Sequence, residues 1–192
     1  MSNVAVAASQ SLAALNEQPA DRFVEAVGPL FERSPRFIGR LAAARPFASW
    51  EQLFDRALGI ALGMPEPEQL ELIDSHPRLG ADRAAMRARS ELSWHEQGYD
   101  REGPTHRPTR SAIRSSGSAE AERVGAELAR LNAAYEARFG FRFVVFVAGR
   151  SRAELLPLLS DALEAERDAE IRRALRDVVA IARDRRRKLG WS

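Results

Sequence analysis

The sequence predicts an all-α protein, a single-domain helical bundle with one short extended buried segment near residues 141–147. Apolar residues recur with a period of about 3.6 residues through most of the chain, as in amphipathic helices. Capping residues, prolines and glycines mark where these runs begin and end. A β-branched and aromatic run occurs only once, so a strand formed there would lack a partner strand.

Composition is that of an ordinary globular domain. Of the 192 residues, 45% are hydrophobic and 29% are charged. The chain contains 29 basic and 27 acidic residues. The small net charge of +2 argues against a nucleic-acid partner, and no apolar run is long enough to span a membrane. The absence of cysteine excludes disulfides and thiolate metal sites, and it is typical of a cytoplasmic protein.

Local signals define the first helices. Residues 1–18 are expected to form a flexible N-terminal segment, and a helix begins after Pro19. Gly28-Pro29 should interrupt this helix, because proline removes a backbone donor and clashes with the preceding turn. Ser34-Pro35 has the order of an N-cap followed by a first-turn proline. Ser49-x-x-Gln52 is a capping box that begins the next helix.

A short helix over residues 68–75 is followed by His76 and Pro77. Proline biases the preceding residue away from helical geometry, so the imidazole should leave the helix end in a defined direction. Only three histidines are present, and an imidazole is the side chain that titrates nearest neutral pH. Because so few side chains of this chain titrate near neutral pH, His76, with Glu96 and Gln97 downstream, is the candidate for proton transfer. A helix-terminal histidine without catalytic function is the alternative.

The second half of the chain begins with a long loop. Residues 98–117 are rich in Gly, Pro, Ser, Thr and Arg, and they show no apolar periodicity. Ser118 is expected to cap a strongly amphipathic helix that ends at Gly140. The segment 141–147 follows as an extended connector. Ser151-x-x-Glu154 is then a capping box for another helix.

The last predicted helix spans residues 168–189, and its basic residues 183–188 complement the negative end of the helix dipole. Upstream, Ser93-x-x-Glu96 has two compatible interpretations. It is a capping box, or it is part of a site at a helix N-terminus.

Several stretches together resemble one family, the 2-oxo-4-hydroxy-4-carboxy-5-ureidoimidazoline (OHCU) decarboxylases of the ureide branch of purine degradation. The order and spacing of these stretches carry the resemblance rather than any single one. They are GPLFERSP at 28–35, ARPF at 44–47, EQLELIDSHPRL at 68–79, SWHEQ at 93–97, LNAAYEARFGFRF at 131–143 and the IARDR segment ending at Arg185.

The resemblance implies a cytoplasmic carboxy-lyase that converts OHCU to (S)-allantoin in urate catabolism without a metal or an organic cofactor, and that is often a homodimer. A single domain would span residues 19–192, with a loop insertion at 98–117. His76 would be the catalytic acid/base, with Glu96 either holding the tautomer of the imidazole or destabilising the substrate carboxylate. The implied substrate-binding residues are Pro77, Ser93, Gln97, Phe143, Val144, Val145, Phe146, Val147 and Arg185.

The chain departs from the family pattern at several places. Arg78 stands where an acidic residue usually follows His-Pro, and the ASAGL-like continuation after Gln97 is missing. The loop 98–117 is longer than usual, and Arg142 replaces the proline of FGFPF. The alternative function is therefore a diverged family member, either non-catalytic or differently specific, that binds a protein partner or another ureide.

Overall fold

The computed structural model describes residues 10–81, 90–97 and 114–192. All regular elements in these ranges are helical, which confirms the predicted all-α class. The helices are α1 (Leu12–Glu17), α2 (Ala20–Val27), a 3₁₀ helix (Gly28–Phe31), α3 (Pro35–Ala43), α4 (Trp50–Gly63), α5 (Glu66–Ser75), α6 (Glu91–Glu96), α7 (Arg114–Phe139), α8 (Arg152–Ala162) and α9 (Arg167–Lys188).

The chain divides into two compact units. One runs to His76 and includes Ile171–Ser192, and the other is Pro77–Glu170. The single domain over 19–192 stays a prediction. In the ranges described, no helix combines the length and the hydropathy needed to cross a bilayer.

In the first unit, α3 packs against α2, α4 and α5. The predicted interruption at Gly28 is confirmed, because the 3₁₀ helix replaces a continuation of α2. Helix α1 forms inside the segment expected to be flexible, and its two leucines, Leu12 and Leu15, are buried. The core of this unit is aromatic and aliphatic, and it includes Phe23, Val27, Phe31, Phe37, Leu41, Leu53 and Phe54.

In the second unit, α7 packs against α8. Helix α7 begins at Arg114, so residues 114–117 are helical although a loop was expected there. The remainder of that predicted loop lies outside the described residues. Gly140 ends α7 as predicted, with a φ of 80° that glycine adopts without a Cβ clash. The capping box at Ser151 is complete.

The extended segment over 141–147 contains neither helix nor strand, as predicted. Phe141, Phe143 and Val144 are buried, and the first two rings pack edge-on against Tyr135 of α7. The Tyr135 hydroxyl donates a hydrogen bond of 2.8 Å to Glu170, so the buried phenol is satisfied. This aromatic cluster fixes the first part of the segment against the core.

Candidate active-site residues

His76 caps the C-terminus of α5 in extended geometry, with φ −74° and ψ 141°. The sequence predicted this geometry from Pro77, which is itself buried. The imidazole is only 3% exposed. Its Nδ1 lies 3.2 Å from the carbonyl oxygen of Leu72 and 3.4 Å from the hydroxyl of Ser75.

These contacts determine the tautomer of His76. A carbonyl oxygen can only accept, so the Nδ1 that faces Leu72 must carry a proton. The Ser75 hydroxyl donates its own proton to the same carbonyl at 2.7 Å, and its lone pairs are therefore available to Nδ1. In the neutral ring the buried Nε2 is then the basic nitrogen.

Helix α6 holds two of the predicted residues, Ser93 and Glu96, but its cap differs from the prediction. The side chain of Ser90 accepts from the backbone N–H of Ser93, so Ser90 is the N-cap. The capping-box interpretation of Ser93 is wrong, because Ser93 lies in the first turn of the helix. Ser93 is 4% exposed, and Glu96, the last residue of α6, is half-buried.

Gln97 follows α6 and contacts the chain just after Pro77. Its Oε1 accepts from the backbone N–H of Gly80 at 2.9 Å. Gly80 has a φ of 73°, and a Cβ there would lie 3.1 Å from the Leu128 side chain, so this position favours glycine. Because the carbonyl end of the Gln97 side chain is engaged, its amide NH₂ is the end that suits a ligand acceptor.

Two further side chains of α7 hold the segment 78–80. Asn132 donates to the carbonyl oxygen of Leu79 at 3.0 Å. Arg78 makes two bonds to the carboxylate of Glu136, from Nε at 2.8 Å and from Nη2. The positive charge at this departure from the family pattern is therefore compensated by a carboxylate.

The predicted substrate-binding backbone, Phe143 to Val147, becomes more exposed towards its C-terminal end. Phe143 and Val144 are buried, whereas Val145, Phe146 and Val147 are half-buried. Within the described part of the chain, the backbone N–H groups of these last three residues donate to no protein atom. A backbone N–H without a protein acceptor can donate to water or to a ligand, so these three groups are available to a ligand.

Arg185 lies in α9 and is 1% exposed. Its Nη1 donates to the carbonyl oxygens of Pro29 and Leu30 at 3.1 and 3.3 Å, and its Nη2 pairs with Glu32 at 2.7 Å. Glu32 has a φ of 51°, a left-handed backbone that is costly for a residue with a side chain. Substrate binding by Arg185 stays a prediction.

Sequence reasoning missed the residues that hold the predicted ones in place: Glu32, Asn132, Glu136 and Arg150. Glu32, Asn132 and Glu136 lie within stretches that carry the family resemblance, but those stretches do not reveal their partners, which are distant in the chain. Arg150 acts through backbone carbonyls, which every residue possesses. In the ranges described, no group of three or more histidines and carboxylates is arranged to ligate a metal ion.

A family model described as OHCU decarboxylase matches residues 16–187. The chain belongs to this family. Membership confirms the predicted enzyme class, a decarboxylase, and the match covers nearly all of the described helices.

Among similar proteins, the chain is 31% identical over 172 residues to the uric acid degradation bifunctional protein PucL of Bacillus subtilis. That match covers 89% of this chain but only 31% of the Bacillus protein. The OHCU decarboxylase of Halalkalicoccus jeotgali is 29% identical, with 88% and 85% of the two chains covered.

Two solved structures share the fold. A crystal structure of an OHCU decarboxylase in the presence of (S)-allantoin aligns with a TM-score of 0.55 at 23% identity, covering 82% of this chain and 92% of that one. A crystal structure of (S)-allantoin synthase aligns with a TM-score of 0.63 at 20% identity, covering 94% and 53%.

Proposed function

We propose that this chain decarboxylates OHCU to (S)-allantoin in urate degradation, and that His76 transfers the proton. One observation carries the assignment of His76: a buried imidazole whose Nδ1 is committed to Leu72, leaving Nε2 as the base. The names of the relatives, which include a uric acid degradation protein and several OHCU decarboxylases, support the substrate.

The chemistry follows from that tautomer. Nε2 of His76 accepts the proton of the substrate hydroxyl, and the bond from the ring carbon to the carboxylate breaks. The electron pair of this bond moves into the adjacent ring imine, so the substrate supplies its own electron sink. CO₂ leaves, the imidazolium delivers a proton to one face of the new carbon centre, and a solvent proton completes the ring nitrogen. General acid–base catalysis of this kind is worth about 10²–10⁴-fold in rate.

The tautomer also limits the role of Glu96. Because Leu72 and Ser75 already hold the proton of His76 on Nδ1, no further carboxylate is needed for that purpose. Glu96 would instead act on the substrate, by disfavouring the charged carboxylate and so promoting its loss as neutral CO₂.

The remaining predicted residues would bind the substrate. The amide NH₂ of Gln97 and the backbone N–H groups of Val145 to Val147 are donors, and they suit the carbonyl oxygens of a ureido group and a lactam. Ser93 and Pro77 would contribute contacts, and Arg185 belongs to the substrate-binding set that the resemblance implies.

The decisive experiment compares two histidine variants. His76→Asn removes the basic nitrogen, and we expect decarboxylation to fall about 10²–10⁴-fold, to near the spontaneous rate. His95→Asn is the matched control, because His95 lies in α6 with an exposed side chain. Urate with a urate oxidase and a hydrolase generates the substrate in place, and CO₂ release and the circular dichroism of (S)-allantoin report the reaction.

Unchanged turnover by His76→Asn, with helical content intact, would overturn the role of this histidine. Glu96→Gln should reduce the rate less completely. An inactive wild-type chain under the same coupled conditions would instead favour a diverged family member and overturn the proposed function itself.

We also propose that the enzyme is a cytoplasmic homodimer, as the family resemblance implies. Sedimentation equilibrium should then give twice the 21.3 kDa mass of the chain. A monomer mass across the concentration range would contradict the dimer. Cell fractionation tests the location independently.

A further inference from the structure

A strained turn follows the backbone that is proposed to bind the substrate. The backbone N–H of Arg150 donates to the carbonyl oxygen of Val147 at 3.0 Å and closes a four-residue turn. Both central residues have positive φ, 52° at Ala148 and 78° at Gly149. Glycine adopts this geometry freely, but alanine pays a steric penalty, so surrounding contacts must maintain the turn.

The side chain of Arg150 supplies those contacts. Its Nε donates to the carbonyl oxygen of Val147 at 3.0 Å, and its Nη2 donates to that of Phe146. A guanidinium is planar, so two of its donors that bind consecutive carbonyls fix the direction of both peptide groups. Bonds from a charged donor are stronger than those between neutral groups.

The geometry of the peptide group transmits this constraint from a carbonyl to the N–H of the following residue. In a planar trans peptide the C=O and the N–H point in opposite directions. The carbonyl of Phe146 shares its peptide group with the N–H of Val147, so this N–H is directed away from Arg150. Withdrawal of electron density from the carbonyl also makes the N–H of the same peptide a stronger donor.

We propose that Arg150 is a positioning residue that aims the Val147 N–H at an acceptor oxygen of the bound ureide. This inference rests on the proposed function, and it makes the extended segment a site for carbonyl or carboxylate oxygens rather than for ligand donors. Val147 is a half-buried residue, and its N–H, which has no protein acceptor in the described ranges, is the group so presented.

Kinetics provide the first test. Arg150→Ala should raise KM about tenfold, the equivalent of one charge-assisted hydrogen bond, and leave kcat within about twofold. Arg150→Lys should restore only part of the affinity, because an ammonium cannot bind two carbonyls in one plane. Arg138→Ala is the control, because Arg138 also donates to a backbone carbonyl, that of Ala165, at an exposed place outside the segment.

Nuclear magnetic resonance provides a readout that does not need turnover. In wild-type protein, titration with (S)-allantoin should move the amide proton of Val147 downfield, and in Arg150→Ala this shift should shrink. Arg150→Gln, which keeps a single neutral donor, serves the same purpose if the alanine variant is poorly folded.

The outcomes separate the inference from the proposed function. An active wild-type enzyme whose KM and Val147 amide shift survive Arg150→Ala would overturn the role of Arg150 alone. A wild-type amide that does not respond to saturating (S)-allantoin would also overturn it. If the wild-type protein shows no turnover but its Val147 amide responds to (S)-allantoin, the decarboxylase assignment would be overturned and the role of Arg150 would stand.

Discussion

Two arginine–glutamate pairs tie distant parts of the chain together, and they differ in burial. Arg185 and Glu32 in the first unit have side chains that are 1% and 8% exposed. Arg78 and Glu136 in the second unit are 42% and 27% exposed. A buried charge that loses its partner pays the full cost of desolvation, whereas an exposed one returns to water. We therefore expect the same chemical pair to contribute much more to the free energy of unfolding in the first unit than in the second.

The surroundings reinforce this difference. Arg185 also satisfies the carbonyls of Pro29 and Leu30, at the 3₁₀ helix that interrupts the chain after α2. Its partner Glu32 adopts left-handed backbone geometry, which the ion pair helps to maintain. Arg78, by contrast, shares the task of holding its segment with Asn132 and Gln97.

The largest expected effect comes from breaking the buried pair. Arg185→Met should lower the free energy of unfolding by about 3–5 kcal/mol, because Glu32 stays buried without its partner. Urea denaturation measures this loss. Neutralising both residues, as in Arg185→Met with Glu32→Gln, should recover much of it. A single variant as stable as the wild type would contradict the assigned dependence on burial.

A buried contact between neutral groups allows the effect of burial on stability to be measured without a contribution from charge. Asn132 is 1% exposed and donates to the carbonyls of Leu79 and Leu128. Asn132→Ala should lower the free energy of unfolding by about 1–3 kcal/mol, since two buried acceptors lose their donor. This loss should exceed the loss from breaking the partly exposed Arg78–Glu136 pair, measured in the same denaturation assay. The opposite order would show that charge outweighs burial in this segment.

Breaking the partly exposed pair, Arg78 with Glu136, should have a small effect. Arg78→Ala is expected to change the free energy of unfolding by at most about 1 kcal/mol, and less at high salt, because solvent screens the pair. Denaturation at low and high ionic strength measures both values. A salt-independent loss of several kcal/mol would mean that Arg78 behaves as a buried charge.

The smallest effect concerns the exposed capping box of α8. The Ser151 hydroxyl and its backbone N–H hold the pKa of the Glu154 carboxyl below its ordinary value of 4.5. A lowered folded-state pKa means that this stabilisation is present above the unfolded pKa and is lost as pH falls through the folded one. Wild type should therefore exceed Glu154→Gln in stability at about pH 6, and the difference should shrink progressively as the pH falls below 4.5. A pH-independent difference would assign the effect to something other than this carboxylate.

Local rules were sufficient for much of the fold. The break at Gly28, the end of α7 at Gly140 and the capping box at Ser151 all follow from interactions within four residues. The direction of the chain at His76 belongs to the same class, because Pro77 restricts its neighbour directly. The cap of α6 shows the limit of this approach: Ser93 had the better motif, yet Ser90 satisfies the first turn.

The candidate catalytic histidine was found from its rarity, its place before proline and the resemblance of the surrounding stretches to one family. Its tautomer needed coordinates, because the acceptor on Leu72 is a backbone carbonyl, which every residue possesses. The orientation of the Val147 peptide by Arg150 escaped sequence reasoning for the same reason.

Composition, helical periodicity and the order of a few short motifs were enough to specify an all-α chain and to select His76. These signals act between residues that are close in sequence, and the covalent chain keeps such residues close in space. Partners such as Glu32 for Arg185 and Glu136 for Arg78 became known only from the folded chain, because long-range pairing depends on packing that no local pattern encodes. Burial then sets the energy of each pair, since the cost of isolating a charge depends on how much water remains around it.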